Sequence, residues 1–221
     1  MTKQTDPAPS PPGTVSAADP VRFRIVDGAR RHFFAHGFRG VSMDDLTAEL
    51  GMSKKTLYSR FETKQQLLEA VIDEQFRRVG AECEGILSAA DPDFSTTLQE
   101  FLACIQRHTA EIQPPFLKDM RQEAPQAFQR VERLRRALIE RYFGELMRRG
   151  RNACVIRKDI PSALIIEILL AAVQAIVNPA RMEELDLTVK SGCALITKVV
   201  LEGAIVPQRK LRIKNRMKSR L

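Results

Sequence analysis

Between Ser42 and Phe61 the chain sets two helix starts on either side of one glycine, and that arrangement leaves few folds open. Ser42 supplies an N-cap hydroxyl, with Asp45 at the third helical position where the return bond to the cap originates. The helix it opens lasts only to Leu50. Gly51 and Met52 make a turn, Ser53 offers a second capping hydroxyl, and the spacing predicts a short helix over residues 54–61 with Leu57 and Phe61 turned inward one turn apart. Two short helices across a tight glycine turn form a helix-turn-helix, whose second helix has the dimensions to enter the major groove of B-DNA. Its outward set is Lys54, Lys55, Thr56, Tyr58, Ser59 and Arg60. The cations and the Tyr58 hydroxyl can reach phosphates, and Thr56, Ser59 or Arg60 can touch base edges. The competing reading is a solvated helix face with no partner.

Beyond this motif every periodic segment reads as helix, because apolar residues recur at three and four and no alternating β-branched run of strand length occurs. Residues 21–36 carry Ile25, Ala29 and Phe33 in register and are expected to end at Gly37 in a left-handed cap. Thr63 and Gln66 form a capping box for a long helix with Leu67, Leu68, Val71, Ile72, Gln75 and Val79 on one face. Further helices are expected over 94–109, from Pro114, over 126–149 after Pro125, over 161–178 and over 187–203, about nine in all. In the 126–149 helix, Glu132 with Arg136 and Glu145 with Arg149 stand at pairing distance along the helix, and Pro179 marks the stop of 161–178. The fold class is all-α: an N-terminal three-helix DNA-binding domain followed by a larger helical domain.

Lysine and arginine exceed the acids by 35 to 27, a net charge of +8, which suits a polyanionic partner. Seven of these charges lie in the tail 207–221, between Arg209 and Arg220. Such a tail either contacts phosphates or aids solubility. Residues 1–20 are a Pro-rich leader that cannot bury enough apolar area to order itself. No apolar segment follows Lys3, so no signal peptide is expected, and the apolar run 160–177 is interrupted by Pro161, Ser162, Glu167 and Gln174, which argues against a membrane span. Cys83, Cys104, Cys154 and Cys193 have neither zinc-site nor secreted-framework spacing and are read as reduced, mostly buried thiols of a cytoplasmic protein. His32 and His36 stand four apart on one helix, but Phe33 occupies the place where a zinc protease needs its glutamate, so no metal and no cofactor are expected. No catalytic motif is found, which favours a binder over an enzyme.

From Ile25 to Leu68 the chain resembles the DNA-binding domain of the TetR family of bacterial repressors. Ile25, Ala29, Phe33 and Gly37 match its first helix, and the unbroken run from Val41 to Phe61, followed by Lys64 and Leu67, matches its helix-turn-helix and the start of its fourth helix. The resemblance implies a homodimeric, nucleoid-associated transcriptional regulator, most simply a repressor, on a palindromic double-stranded operator. Thr56, Tyr58, Ser59 and Arg60 would face that operator, while Lys64 and Ser42 would hold phosphates at the N-termini of their helices. Lys55 departs from the small residue common in relatives, and Gly28 and Leu50 replace common alanines. Helices 161–178 and 187–203 would form a four-helix dimer interface. The DNA-binding domain would span 21–67, and 68–206 would bind a small-molecule effector and dimerise. Phe101, Phe116, Met120 and Phe143 are candidates for the pocket wall, with Arg121 and Gln122 as polar specifiers, although aromatic and methionine positions at helical spacing also serve as ordinary core. A TetR-like protein without effector, serving nucleoid organisation or division, is the alternative.

Overall fold

Asp19 opens the first helix by accepting the Arg22 amide at 3.0 Å, and Pro20, expected in the leader, occupies the first helical position, where its missing N–H is no loss. The computed structural model describes residues 19–89 and 93–205. The remainder of the leader, residues 90–92 and the basic tail lie outside these described residues. The helices are α1 (Pro20–His36), α2 (Met43–Leu50), α3 (Lys54–Tyr58), α4 (Lys64–Ser88), α5 (Phe94–Ala110) and α6 (Pro114–Glu123). Then come α7 (Pro125–Leu138, continuing through a π turn at Ile139–Phe143 into Gly144–Asn152), α8 (Ser162–Ile176), α9 (Pro179–Glu184) and α10 (Val189–Ala204). An isolated bridge between Ile156 and Ile205 is the sole β pairing among the described residues.

The expected caps differ in detail. Ser42 and Asp45 form the full reciprocal box, and Gly51 is left-handed at φ 57° and ψ 42°. At Thr63 the cap accepts the Gln66 amide, but the Gln66 side chain reaches past it to the Glu62 amide at 3.0 Å, so the return bond is displaced by one residue. Gly37 has φ 84° with an extended ψ of 164°. A side chain there would meet the Asp119 carboxylate as well as the strained backbone. Helix α3 stops at Tyr58 instead of residue 61, although the Phe61 amide still bonds the Leu57 carbonyl and both side chains are buried. Pro179 starts the unexpected short helix α9, because a proline that ends one helix is equally suited to begin another.

Two apolar clusters hold the chain together. The first joins Ile25, Ala29 and Phe33 of α1, Leu46 and Leu50 of α2, Leu57, Phe61, and Leu67 and Val71 of α4. Each such side chain, fully buried, contributes about 1.5–3 kcal/mol before entropy is charged. This cluster does not stop near residue 67, because Phe116, Met120, Ala124 and Ala127 of α6 and α7 belong to it. The Gln113 amide bonds the Phe34 carbonyl at 3.0 Å, and Arg30 pairs with Glu111. The second cluster packs α5, the π turn, α8 and α10 around Phe143, Leu146, Met147 and Leu169.

Ion pairs along α7 differ from the expected set in one place. Glu145 holds Arg149 at 2.9 Å as expected, whereas Glu132 takes Arg135 and Arg136 reaches out to Glu167 of α8 at 2.7 Å. Arg136 also keeps Glu140, one turn on, at 3.2 Å, so it bridges within α7 and across to α8. Of the thiols, Cys83 and Cys104 are buried, Cys193 is partly buried, and Cys154 is exposed on a turn residue with φ 59°.

Candidate nucleic-acid interface and effector cavity

Leu57 anchors α3 to the first core and leaves its other faces outward. Lys54, Lys55, Tyr58, Ser59 and Arg60 are exposed and Thr56 is partly so, with Tyr58 keeping 45% of its surface. Two of the cations are already engaged: Lys54 Nζ lies 2.7 Å from Asp44, and Arg60 Nε lies 2.9 Å from Asp19. The Asp44 hydrogen bond raises the Lys54 pKa above its ordinary value. The hydroxyls are locally occupied, since Thr56 Oγ1 and Ser53 Oγ are 2.9 Å apart and Ser59 Oγ donates to the Thr56 carbonyl at 2.8 Å. Docking on an anionic backbone therefore exchanges internal partners for phosphates, so each contact yields the difference between two interactions.

Lys64, the first residue of α4, is half-buried with its ammonium 4.4 Å from the Phe38 ring centre. Burial pushes its pKa below the ordinary lysine value, while Asp119 and Asp45 oppose that shift. A phosphate there would meet both the cation and the positive end of a long helix. Ser42 is fully used by its box, accepting the Asp45 amide at 3.0 Å and donating to the Asp45 carboxylate at 2.7 Å, so it can serve a phosphate only when that box opens. His32 faces Glu49 at 3.7 Å.

A cavity of about 220 Å³ lies between α4, α5, α6, α7, α8 and α10. Phe101, Phe116, Met120 and Phe143 line it. Arg121 and Gln122 do not: successive residues on a helix are about 100° apart, and with Phe116 and Met120 turned inward both point to solvent, Arg121 over the Phe128 ring at 4.8 Å. The polar lining comes from elsewhere, from Gln75, His108, Thr109, Arg135 and Thr197. Gln75 interrupts the apolar face of α4, a signal visible in the sequence. Its amide donates to the His108 carbonyl at 3.2 Å, and its buried Oε1 has no hydrogen-bond partner. Phe34 of α1 also reaches the cavity, and the π turn supplies Ile139, Tyr142 and Phe143. Such turns insert an extra residue per turn and often occur at functional sites.

The outer faces of α8 and α10 remain apolar and open. Leu164 and Ile168 on α8 and Leu195 and Val199 on α10 are exposed, Val199 to 70%. No helix among the described residues is long and apolar enough to cross a membrane.

The chain thus sets a helix-turn-helix with a basic outer face on a helical domain that holds an apolar cavity. Residues 25–71 match the model of the bacterial regulatory proteins of the tetR family. The chain is similar to the transcriptional repressor ComR of Escherichia coli K12, at 31% identity over 84 residues, 38% of this chain and 40% of ComR. The first curated relatives are thus matched over less than half of their length. A longer match, to the repressor DhaR of Mycobacterium sp. strain GP1, has 24% identity over 180 residues, 76% of this chain and 85% of that protein. Among solved structures, a TetR transcriptional regulator from Chloroflexus aurantiacus shares the fold with a TM-score of 0.59 and 20% identity, over 85% of this chain and 97% of that one. SmeT, the repressor of a Stenotrophomonas maltophilia multidrug efflux pump, does so with a TM-score of 0.59 and 19% identity, over 84% and 90%.

Proposed function

We propose that the chain is a repressor that binds a palindromic operator as a homodimer and leaves it when a small apolar molecule fills the cavity. Residues 21–67 act as the reader and 68–206 as the sensing and dimerising part. Thr56, Tyr58, Ser59 and Arg60 read or position on the groove, Lys54, Lys55 and Lys64 take phosphates, and Ser42 adds a backbone contact. The open faces of α8 and α10 support pairing of two chains, which sets the two α3 helices on half-sites about 34–36 Å apart or a multiple of that spacing.

One observation carries the effector reading. The single helix α4 begins with Lys64 beside the reader and passes Gln75, Val79 and Cys83 along the cavity wall, so displacement at one end is felt at the other. Ligand binding acts only if it favours the arrangement that fits DNA less well, and couplings of this kind are typically ~1–3 kcal/mol. The unpartnered Gln75 Oε1 favours a ligand with an apolar body and one hydroxyl or amide N–H donor.

Thermal-shift screening of such molecules on the full chain, followed by gel-shift titration on operator fragments recovered from genome-wide binding, tests this reading. A stabilising ligand should weaken DNA binding, and Gln75→Met should remove the preference for donor-bearing ligands. A protein that occupies many genomic sites and responds to no ligand would instead support the effector-independent role.

A further inference from the structure

Helices α4 and α5 face each other along one seam beside the cavity, where three potential metal ligands cluster and a fourth, Cys83, lies against one of them. Cys104 and His108 stand one turn apart on α5, and Glu82 and Cys83 are adjacent on α4. One ligand atom each from Glu82, Cys104 and His108 lie within 4.8 Å of one another. Cys83 Sγ lies 3.9 Å from Cys104 Sγ, close to the ~3.8 Å that separates two sulfurs each ~2.3 Å from a tetrahedral zinc ion. We propose that Glu82, Cys104 and His108, joined by Cys83, form a binding site for a divalent ion of the zinc class.

The layering of the seam suits an ion arriving from solvent. Glu82 and His108 form the rim, their side chains 33% and 19% exposed, and both sulfurs are buried beneath them. At the rim His108 Nε2 and Glu82 Oε2 are 2.8 Å apart, the edge into which a metal would insert, while Arg107 holds the other Glu82 oxygen and would fix the carboxylate from outside. Gln75 lies against the second imidazole nitrogen, its Nε2 3.4 Å from His108 Nδ1. Each ligating thiol gives its proton to solvent on binding. The mixed sulfur, nitrogen and oxygen set fits zinc better than magnesium or calcium, which take oxygen ligands. A bound ion would clip α4 to α5 beside the effector cavity.

Cobalt(II) titration of the reduced, metal-free full chain tests the site, with zinc affinity then measured by chelator competition. One cobalt per chain should bind with thiolate-to-metal charge-transfer absorption and tetrahedral ligand-field bands, and zinc should bleach both. Cys104→Ser should cut the charge-transfer intensity at least twofold, since only the Cys83 thiolate remains, and His108→Gln, a rim change that leaves the buried packing intact, should weaken zinc binding by roughly 100-fold. Cys154→Ser, at an exposed thiol outside the seam, should change nothing. Absence of the charge-transfer band, its undiminished intensity in Cys104→Ser, unchanged zinc affinity in His108→Gln, or loss of the band in Cys154→Ser would overturn the assignment. None of these readouts involves DNA or a small-molecule effector, so the site and the repressor reading stand or fall separately.

Discussion

The rings of Phe34 and Phe116 lie 4.9 Å apart with 55° between their planes, and both face the cavity. Phe34 sits on α1, within the span read as the DNA-binding domain, and Phe116 on α6, so the cavity has a wall built partly by that first helix. Replacing Phe116 with Ala should lower stability by about 3 kcal/mol, from lost burial and the pair itself. It should also reduce ligand-induced release of DNA more than it reduces ligand-free DNA affinity. Chemical denaturation and gel-shift titrations with and without ligand measure the two effects.

Gly28 and Leu50 form a matched pair. A Cβ on Gly28 would come within 2.5 Å of Leu50 Cδ2, so the absent side chain on α1 is the space that the leucine of α2 occupies. Gly28→Ala should therefore destabilise by about 1–3 kcal/mol through overpacking, less the ~1 kcal/mol gained from helix propensity. Leu50→Ala should cost about 2–5 kcal/mol. The double variant should lose less than the sum, with a coupling of about 0.5–3 kcal/mol in a double-mutant cycle.

Asp44 holds Lys54 away from any external anion. Lys54→Ala should weaken DNA binding and reduce the logarithmic salt slope by ~0.9 per chain, as expected for one phosphate contact. Asp44→Asn should tighten binding at low salt, because the cation is released and a nearby like charge to the phosphate is removed. Affinities measured across a salt series distinguish these results from nonspecific loss of folding.

Glu145 binds Arg148 and Arg149, and those hydrogen bonds lower its pKa from 4.5 to about 2. A folded-state pKa below the unfolded one contributes stability above the unfolded value and loses it as pH falls through the folded value. Glu145→Gln should thus reduce stability near neutrality by less than about 1 kcal/mol, the pair being partly solvated. The difference from the parent should shrink between about pH 4.5 and 2 in acid denaturation followed by circular dichroism.

What could be read from the sequence was local. Ser42, Gly51 and Ser53 fix α2 and α3 within a few residues of themselves, and Leu57 and Phe61 reach the core as their spacing requires. What escaped depended on docking. Arg121 and Gln122 share a helix with Phe116 and Met120, but which side of α6 faces inward is settled by α1. Cys83 and Cys104 come together only because α4 and α5 pack, and their separation of 21 residues resembles no metal spacing. Arg136 chose Glu167, a partner 31 residues away, over the expected neighbour. Pro179 carried two meanings, and only the surrounding helices select between them.

The π turn in α7 places one residue more between Leu138 and Gly144 than regular winding would. Excising a single amino acid from it would restore regular winding and leave the two ends of that helix in nearly the same phase, because five residues of π turn advance about as far round the axis as four of α-helix. A one-codon deletion would therefore rebuild the cavity wall made by Ile139, Tyr142 and Phe143 while leaving Arg148 and Arg149 on their present side, a change in chemical preference that no substitution at the same positions would reproduce.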